Sequence, residues 1–181
     1  NASTIGNLVY LKASNRSPDY YYDENYTYEY YPQTTQTYIT QRKIDGSGTI
    51  LETRQINVGA GQYYVRRCGN HLITGLLTGG LNHYDLNGTL IRRKDTINNS
   101  DHPTIYEPSL GLYIRCQNGR GEVWDENFNL LSVDTTHGIN QYSSDTELFR
   151  LAKGIYVFKR IINPNSYISI LRIIGTNIAW Y

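Results

Sequence analysis

The chain has 181 residues and a formal net charge of +1, long enough for one well-buried domain but without the basic excess that nucleic-acid binding draws on. No stretch of about 18 consecutive apolar residues is present, so no apolar helix is predicted to span a membrane. Charged residues make up only 18%, and 18 tyrosines, with Asn, Thr and Ser, take their place.

In chain order, Leu8–Lys12 reads as a first strand, rich in β-branched and aromatic residues. Residues 13–36 read as an insertion, and seven of the twelve residues from Tyr20 to Tyr31 are Tyr. As one extended strand, this segment places Tyr20, Tyr22, Tyr26, Tyr28 and Tyr30 on one face. Tyr21, Asp23, Asn25, Thr27, Glu29 and Tyr31 fall on the other. Such rings either pack over the side of the domain or form a recognition surface that stacks on sugars or anchors a protein. Further strands are predicted over Tyr63–Cys68, His71–Leu76, Thr89–Arg92, Thr104–Pro108, Leu112–Gln117 and Leu130–Val133. Glu147–Ala152 and Ile155–Arg160 complete the set. Ser144-x-x-Glu147 followed by an apolar run to Gly154 is also a capping-box pattern, so a short helix competes there.

A repeat organises these elements. At an offset of forty, residues 71–96 lie over 111–136 without a gap, matching Leu72 with Leu112, Asp85 with Asp125, Asn87 with Asn127 and Leu90 with Leu130. The same offset puts Ile44-Asp45 on Tyr84-Asp85 and Gly48-Thr49-Ile50 on Gly88-Thr89-Leu90. A fixed period of this length is the mark of a repeat architecture. Asp45, Asp85 and Asp125 each open a turn, where a short carboxylate caps backbone amides and a glycine supplies positive φ.

The segment Tyr84-Asp-Leu-Asn-Gly-Thr-Leu90 resembles the outer hairpin of β-propeller blades, and Trp124-Asp125 resembles the Trp-Asp pair of WD-type blades. The resemblance covers residues 37–160 and implies an all-β propeller, and counting strands makes it a small four-bladed β-propeller-like domain filling 1–181. The implied blades run 1–58, 59–98, 99–140 and 141–181, the first lengthened by the insertion at 13–36. A β-trefoil, or part of a larger propeller, stands as the alternative. The glycine of the turn is absent from the third copy, where Phe128 takes its place.

Little in the chain points to catalysis. There is no HExxH, no CxxC and no G-x-S-x-G, and the reading is non-enzymatic, with no metal and no cofactor. His71 and His83, twelve residues apart, fall on neighbouring strands and read as core or solvated histidines. Asp125-Glu-Asn127-Phe-Asn129 has alternating oxygen ligands but Leu130 where a calcium loop needs glycine, so it reads as a turn. Sequons at Asn15, Asn25, Asn87 and Asn98, besides one at Asn1, suit a secreted or extracellular glycoprotein that begins at a processed or cut end. Cys68 and Cys116 are read evenly as one disulfide or two buried thiols. The expected function is an extracellular recognition module that binds a glycan or protein through Tyr- and Asn-rich loops. The alternative is a structural subunit of a coat, matrix or surface assembly, a homo-oligomer joined through the Tyr-rich strand.

Overall fold

The computed structural model describes residues 3–5, 8–10, 19–32, 35–76, 79–95, 104–117, 120–135, 147–162 and 165–181. Every regular element among them is a β-strand, and the chain divides into two compact units, Asn1–Asp101 and His102–Tyr181. Among the described residues no helix is long and apolar enough to cross a membrane.

In the first unit, β1 (Ser3–Ile5) and β2 (Leu8–Tyr10) form a separate two-stranded sheet. The first blade is β3 (Asp19–Tyr22), β4 (Thr27–Tyr31), β5 (Tyr38–Ile44) and β6 (Ile50–Asn57), hydrogen-bonded in that order. The second is β7 (Gln62–Cys68), β8 (His71–Leu76), β9 (Leu81–Asp85) and β10 (Leu90–Lys94). The second unit holds a third blade of β11 (Thr104–Glu107), β12 (Leu112–Gln117), β13 (Arg120–Trp124) and β14 (Leu130–Asp134). Its fourth is β15 (Glu147–Ala152), β16 (Ile155–Ile162), β17 (Asn165–Ile174) and β18 (Asn177–Trp180). All pairings are antiparallel, so each blade is a meander.

Three differences from the sequence reading stand out. The Tyr-rich segment is neither an insertion nor one strand: it is the β3–β4 hairpin that opens the first blade. Asp23 causes the reversal, because its Oδ1 accepts from the Asn25 and Tyr26 amides at 2.9 and 2.8 Å, and its own amide donates to the Tyr26 carbonyl. The helix option near Ser144 fails, since Glu147–Ala152 pairs with β16 as a strand; Ser144 itself lies outside the described residues. The first strand, Leu8–Tyr10, belongs to the small sheet with β1 and not to a blade.

The Asp turns behave as one motif. Asp45, Asp85 and Asp125 each accept, through Oδ1, amides two and four residues ahead at 2.8–2.9 Å. The residue three ahead has positive φ in every copy: 88° at Gly48, 89° at Gly88 and 60° at Phe128. A non-glycine residue there costs about 1–2 kcal/mol. Phe128 is held in place by burial and by stacking on Tyr113, centroids 4.7 Å apart and planes 24° from parallel.

The first unit is held by Tyr30, Ile39, Ile56, Val58, Val65, Leu72 and Tyr84, one buried cluster drawn from both blades. Each such side chain contributes about 1.5–3 kcal/mol by leaving water. In the second unit β18 lies against β13 and β14. There Gly121 keeps the sheets close: a Cβ would meet Ile178 Cδ1 at 2.8 Å. A second link is buried Glu107 on β11, which accepts from Arg150, Tyr156 and Ser109. Burial pushes its carboxyl up, but hydrogen bonds from Arg150 and Ser109, with the Arg150 charge, outweigh that and hold it below the usual range.

Candidate interaction face on the first blade

The β3–β4 turn decides where each tyrosine goes. With Asp19 opposite Tyr30, Tyr21 opposite Tyr28 and Tyr28 opposite Lys43, one face of the blade carries Asp19, Tyr21, Tyr26, Tyr28, Tyr30 and Lys43. With Tyr20 opposite Glu29 and Glu29 opposite Arg42, the other carries Tyr20, Tyr22, Glu29, Tyr31 and Arg42. The five tyrosines expected together are therefore split: Tyr26, Tyr28 and Tyr30 on one side, Tyr20 and Tyr22 on the other. A turn reverses the chain and resets the alternation that a single strand would keep.

The first face is spent on packing. Arg67 of β7 stands over Tyr21 at 3.9 Å and Tyr28 at 4.8 Å, and its Nη1 donates to the Tyr30 hydroxyl at 2.9 Å. Asp19 Oδ2 accepts the Arg67 amide at 3.0 Å, and its Oδ1 lies 3.7 Å from Arg66. Gln41 also donates to the Tyr30 hydroxyl and accepts from Arg54, which donates in turn to the Leu86 carbonyl. Burial pushes the Tyr30 hydroxyl up despite the nearby Arg67 charge, so it stays a neutral bridge. Lys43 Nζ sits 3.8 Å above the Tyr26 ring.

The second face is as half-buried as Tyr21, Tyr26 and Tyr28 are on the first. Tyr20, Tyr22, Glu29, Tyr31 and Arg42 are all half-buried. Tyr31 donates to Glu29 Oε2 at 2.9 Å, and Arg42 donates to the Tyr31 hydroxyl at 3.2 Å while lying 3.9 Å from Glu29. Burial, then the charge and hydrogen bond of Glu29, push Tyr20 up to about 12. Burial, then Asp19 and Glu29, raise Tyr22 as well. The rings are thus neutral phenols around one carboxylate. Tyr31, Glu29 and Arg42 were missed as members of this group, because Asp23 and Asn25, residue types that favour turns, were read as strand positions.

The other candidate residues sort as follows. Asn25 and Asn87 are exposed in turns, whereas Asn15 and Asn98 lie outside the described residues. Cys68 and Cys116 are both buried thiols in the structure, the second of the two readings the sequence left open. Burial, reinforced by Glu122, pushes the Cys116 thiol up and leaves it unreactive. His71 and His83 do meet: Nδ1 of His71 and Nε2 of His83 are 2.8 Å apart, the latter ring fully buried. Both Asp125 oxygens are occupied, Oδ1 by the two amides and Oδ2 by the Asn129 side chain at 2.8 Å. Among the described residues no three His, Cys, Asp or Glu side chains converge to hold a metal ion.

No family model and no curated protein sequence matches the chain. In structure it is similar to the WD40 β-propeller domain of Doa1, with TM-score 0.53 and 12% identity, covering 90% of this chain and 53% of that one. It is also similar to a glutaminyl cyclase from Myxococcus xanthus, with TM-score 0.51 and 15% identity, covering 91% of this chain and 70% of that one. The chain therefore spans 53% of the WD40 domain's length. Likeness at these identities carries the fold alone: the protein is an all-β repeat with the fold of a β-propeller, four four-stranded blades of which two lie in each unit.

Proposed function

We propose that this protein is a non-enzymatic interaction module that binds a protein partner through the Tyr20–Tyr22–Tyr31 face of its first blade. Propellers commonly serve as rigid interaction platforms, an argument by analogy of fold. The observation that carries the reading is the division of the tyrosines. Tyr21, Tyr28 and Tyr30 gather under Arg67, while Tyr20, Tyr22 and Tyr31, as half-buried as Tyr21 and Tyr28, surround the Glu29–Arg42 pair on the opposite face. Tyrosine presents a large amphipathic surface at low entropic cost, which suits it to anchor a contact.

The test is affinity capture with the purified chain and with Tyr20→Ser/Tyr22→Ser, partners being identified by mass spectrometry and then titrated as pure proteins. A partner whose binding falls at least about tenfold in the variant, with an unchanged melting temperature, supports the reading. Equal binding by both chains defeats it. Glycan binding by the same rings is the competing ligand class, and a glycan array run beside the capture separates the two. The proposal includes a secreted setting, supported by the exposed turn positions of the Asn25 and Asn87 sequons. Expression through a secretory pathway with no glycan mass added at either position would remove that part.

A structural-subunit reading draws on a different feature. The last strands of three blades open with exposed aliphatic pairs, Ile50-Leu51, Leu90-Ile91 and Leu130-Leu131. β3 itself lies against β7 of the same chain, so assembly would use these outer strands and not the tyrosines. Light scattering that finds a monomer at high concentration ends this reading.

A further inference from the structure

We propose that the exposed face of the fourth blade docks on a bilayer surface rich in anionic lipid, its isoleucines entering the apolar layer and its cations meeting the headgroups. The charge of the chain is unevenly spread. Residues 148–181 contain five Arg and Lys and no Asp or Glu, while residues 1–147 contain 12 basic and 16 acidic residues. Of the five, Arg150 is held by Glu107. Lys153 and Arg172 are exposed, the first in the β15–β16 turn and the second on β17.

Strand β17 departs from the third strands of the two blades before it. β9 is buried over Leu81–Tyr84, and β13 over Gly121–Val123. In β17, Leu171 and Ile173 turn inward and are buried, whereas Ile168 is 72%, Ile170 42% and Ile174 54% exposed. Alternation along the strand puts these three isoleucines and Arg172 on one face. Tyr181, also 72% exposed, joins them, because its amide and carbonyl both bond Ile170 across the sheet. By register Lys159 stands opposite Ile168. Aliphatic side chains gathered in water on one sheet face mark a docking surface. Charge identifies the occupant. Cations with no acid in the same 34 residues select an anionic surface, and the isoleucines require an apolar layer behind it. A bilayer with anionic headgroups offers both, whereas a soluble polyanion has no place for the isoleucines.

Co-sedimentation of the full chain with vesicles tests this, comparing pure phosphatidylcholine with a mixture holding about one third phosphatidylserine. The chain is expected to bind the mixed vesicles at least about tenfold more strongly, and added salt should weaken that binding. Lys153→Gln/Arg172→Gln should lose about twentyfold, roughly fivefold for each cation. Ile168→Ser/Ile170→Ser, which leaves the charge unchanged, should lose about tenfold with an unchanged circular dichroism melt. Ile174→Ser, at the end of the strand, is a second apolar variant and should lose about threefold. Tyr20→Ser/Tyr22→Ser should bind vesicles as the intact chain does, so the two faces are tested separately. Equal binding to both vesicle types overturns the proposal, as does binding to neither. Vesicle binding that ignores the isoleucine substitutions overturns it too, leaving a plain polyanion site. A dimer in light scattering that Ile168→Ser/Ile170→Ser dissociates would give the face to a second copy instead.

Discussion

Where the second blade pairs Thr74 with Asn82 across β8 and β9, the third pairs Arg115 with Glu122 across β12 and β13. The positions are equivalent, each two residues from a cross-strand pair, buried Leu72–Tyr84 in one blade and buried Tyr113 with half-buried Trp124 in the other. Each also bonds to the aromatic residue beside it: Asn82 donates to the Tyr84 hydroxyl at 2.8 Å, and the Trp124 indole donates to Glu122 at 3.1 Å. One strand position away, fully buried His83 stands where the third blade has fully buried Val123. The backbone frame and the Asp turn are thus shared, while the chemistry inside diverges wherever volume and hydrogen bonding can still be met.

The largest break in that comparison comes from the ion pair. Arg115 and Glu122 lie 3.6 Å apart with 3% of each side chain exposed. Arg115→Met leaves a buried carboxylate without its cation and should destabilise the protein by about 3–5 kcal/mol in denaturant titrations. Arg115→Met/Glu122→Leu removes both charges and should recover most of that loss. If the double variant is no better than the single one, the pair is not a coupled unit.

The turn position gives the next effect. A Cβ on Gly88 would stand 2.3 Å from the Asn57 carbonyl oxygen, whereas one on Gly48 meets nothing within 4 Å. Both have the same left-handed φ, so Gly48→Ala should cost about 1–2 kcal/mol and Gly88→Ala measurably more. Equal losses would show that Asn57 moves aside freely. Phe128 marks the third way of filling this place, since its ring offsets the backbone strain by packing on Tyr113.

Much of the frame was legible in the sequence, and the failures share one cause. Spacing of forty and the Asp turns gave the repeat, and the count of strands gave four blades, because turn chemistry is local and short-ranged. The gapless alignment nevertheless matched Leu72 with Leu112, and strand pairing puts Tyr113 at Leu72's place. Two residues join β7 to β8 and four join β8 to β9, while the third blade has four and then two. The loop lengths exchange, so the period survives while one strand slides by a residue and turns every side chain over. Tyr20 and Tyr22 were misplaced for the same reason, since alternation extrapolated through an unrecognised turn changes face. For His83 the sequence left core and solvated readings open, because an imidazole in an apolar slot carries no periodic signal.

That histidine adds to the second blade an acid sensitivity that Val123 cannot give the third. Burial, then His71 and Arg92, lower the His83 pKa from 6.5 to about 3. The folded state therefore refuses a proton that the unfolded chain takes up below pH 6.5. Stability is complete above that pH and falls by about 1.4 kcal/mol per unit as pH drops toward 3, reaching about 2 kcal/mol at pH 5. His83→Val, the choice of the third blade, should remove that difference between denaturation midpoints at pH 7 and pH 5. An unchanged pH dependence would place the sensitivity elsewhere.

The smallest effect is the most discriminating, because its sign is in question. Thr74 is fully buried and its Oγ1 has no hydrogen-bond partner among the described residues, nor does Asn82 Oδ1 opposite it. A buried hydroxyl without a partner keeps its desolvation cost and gains nothing for it. Thr74→Val keeps the shape and should be neutral or stabilise the second blade by up to about 1 kcal/mol, measured by the shift in denaturation midpoint. The same change at Thr104, whose Oγ1 is likewise unsatisfied in the third blade, should move stability in the same direction. A loss above about 1 kcal/mol at Thr74 alone would mean that its hydroxyl and Asn82 are bridged by a buried water. The neutral pair would then be a satisfied network, as the ion pair of the third blade is.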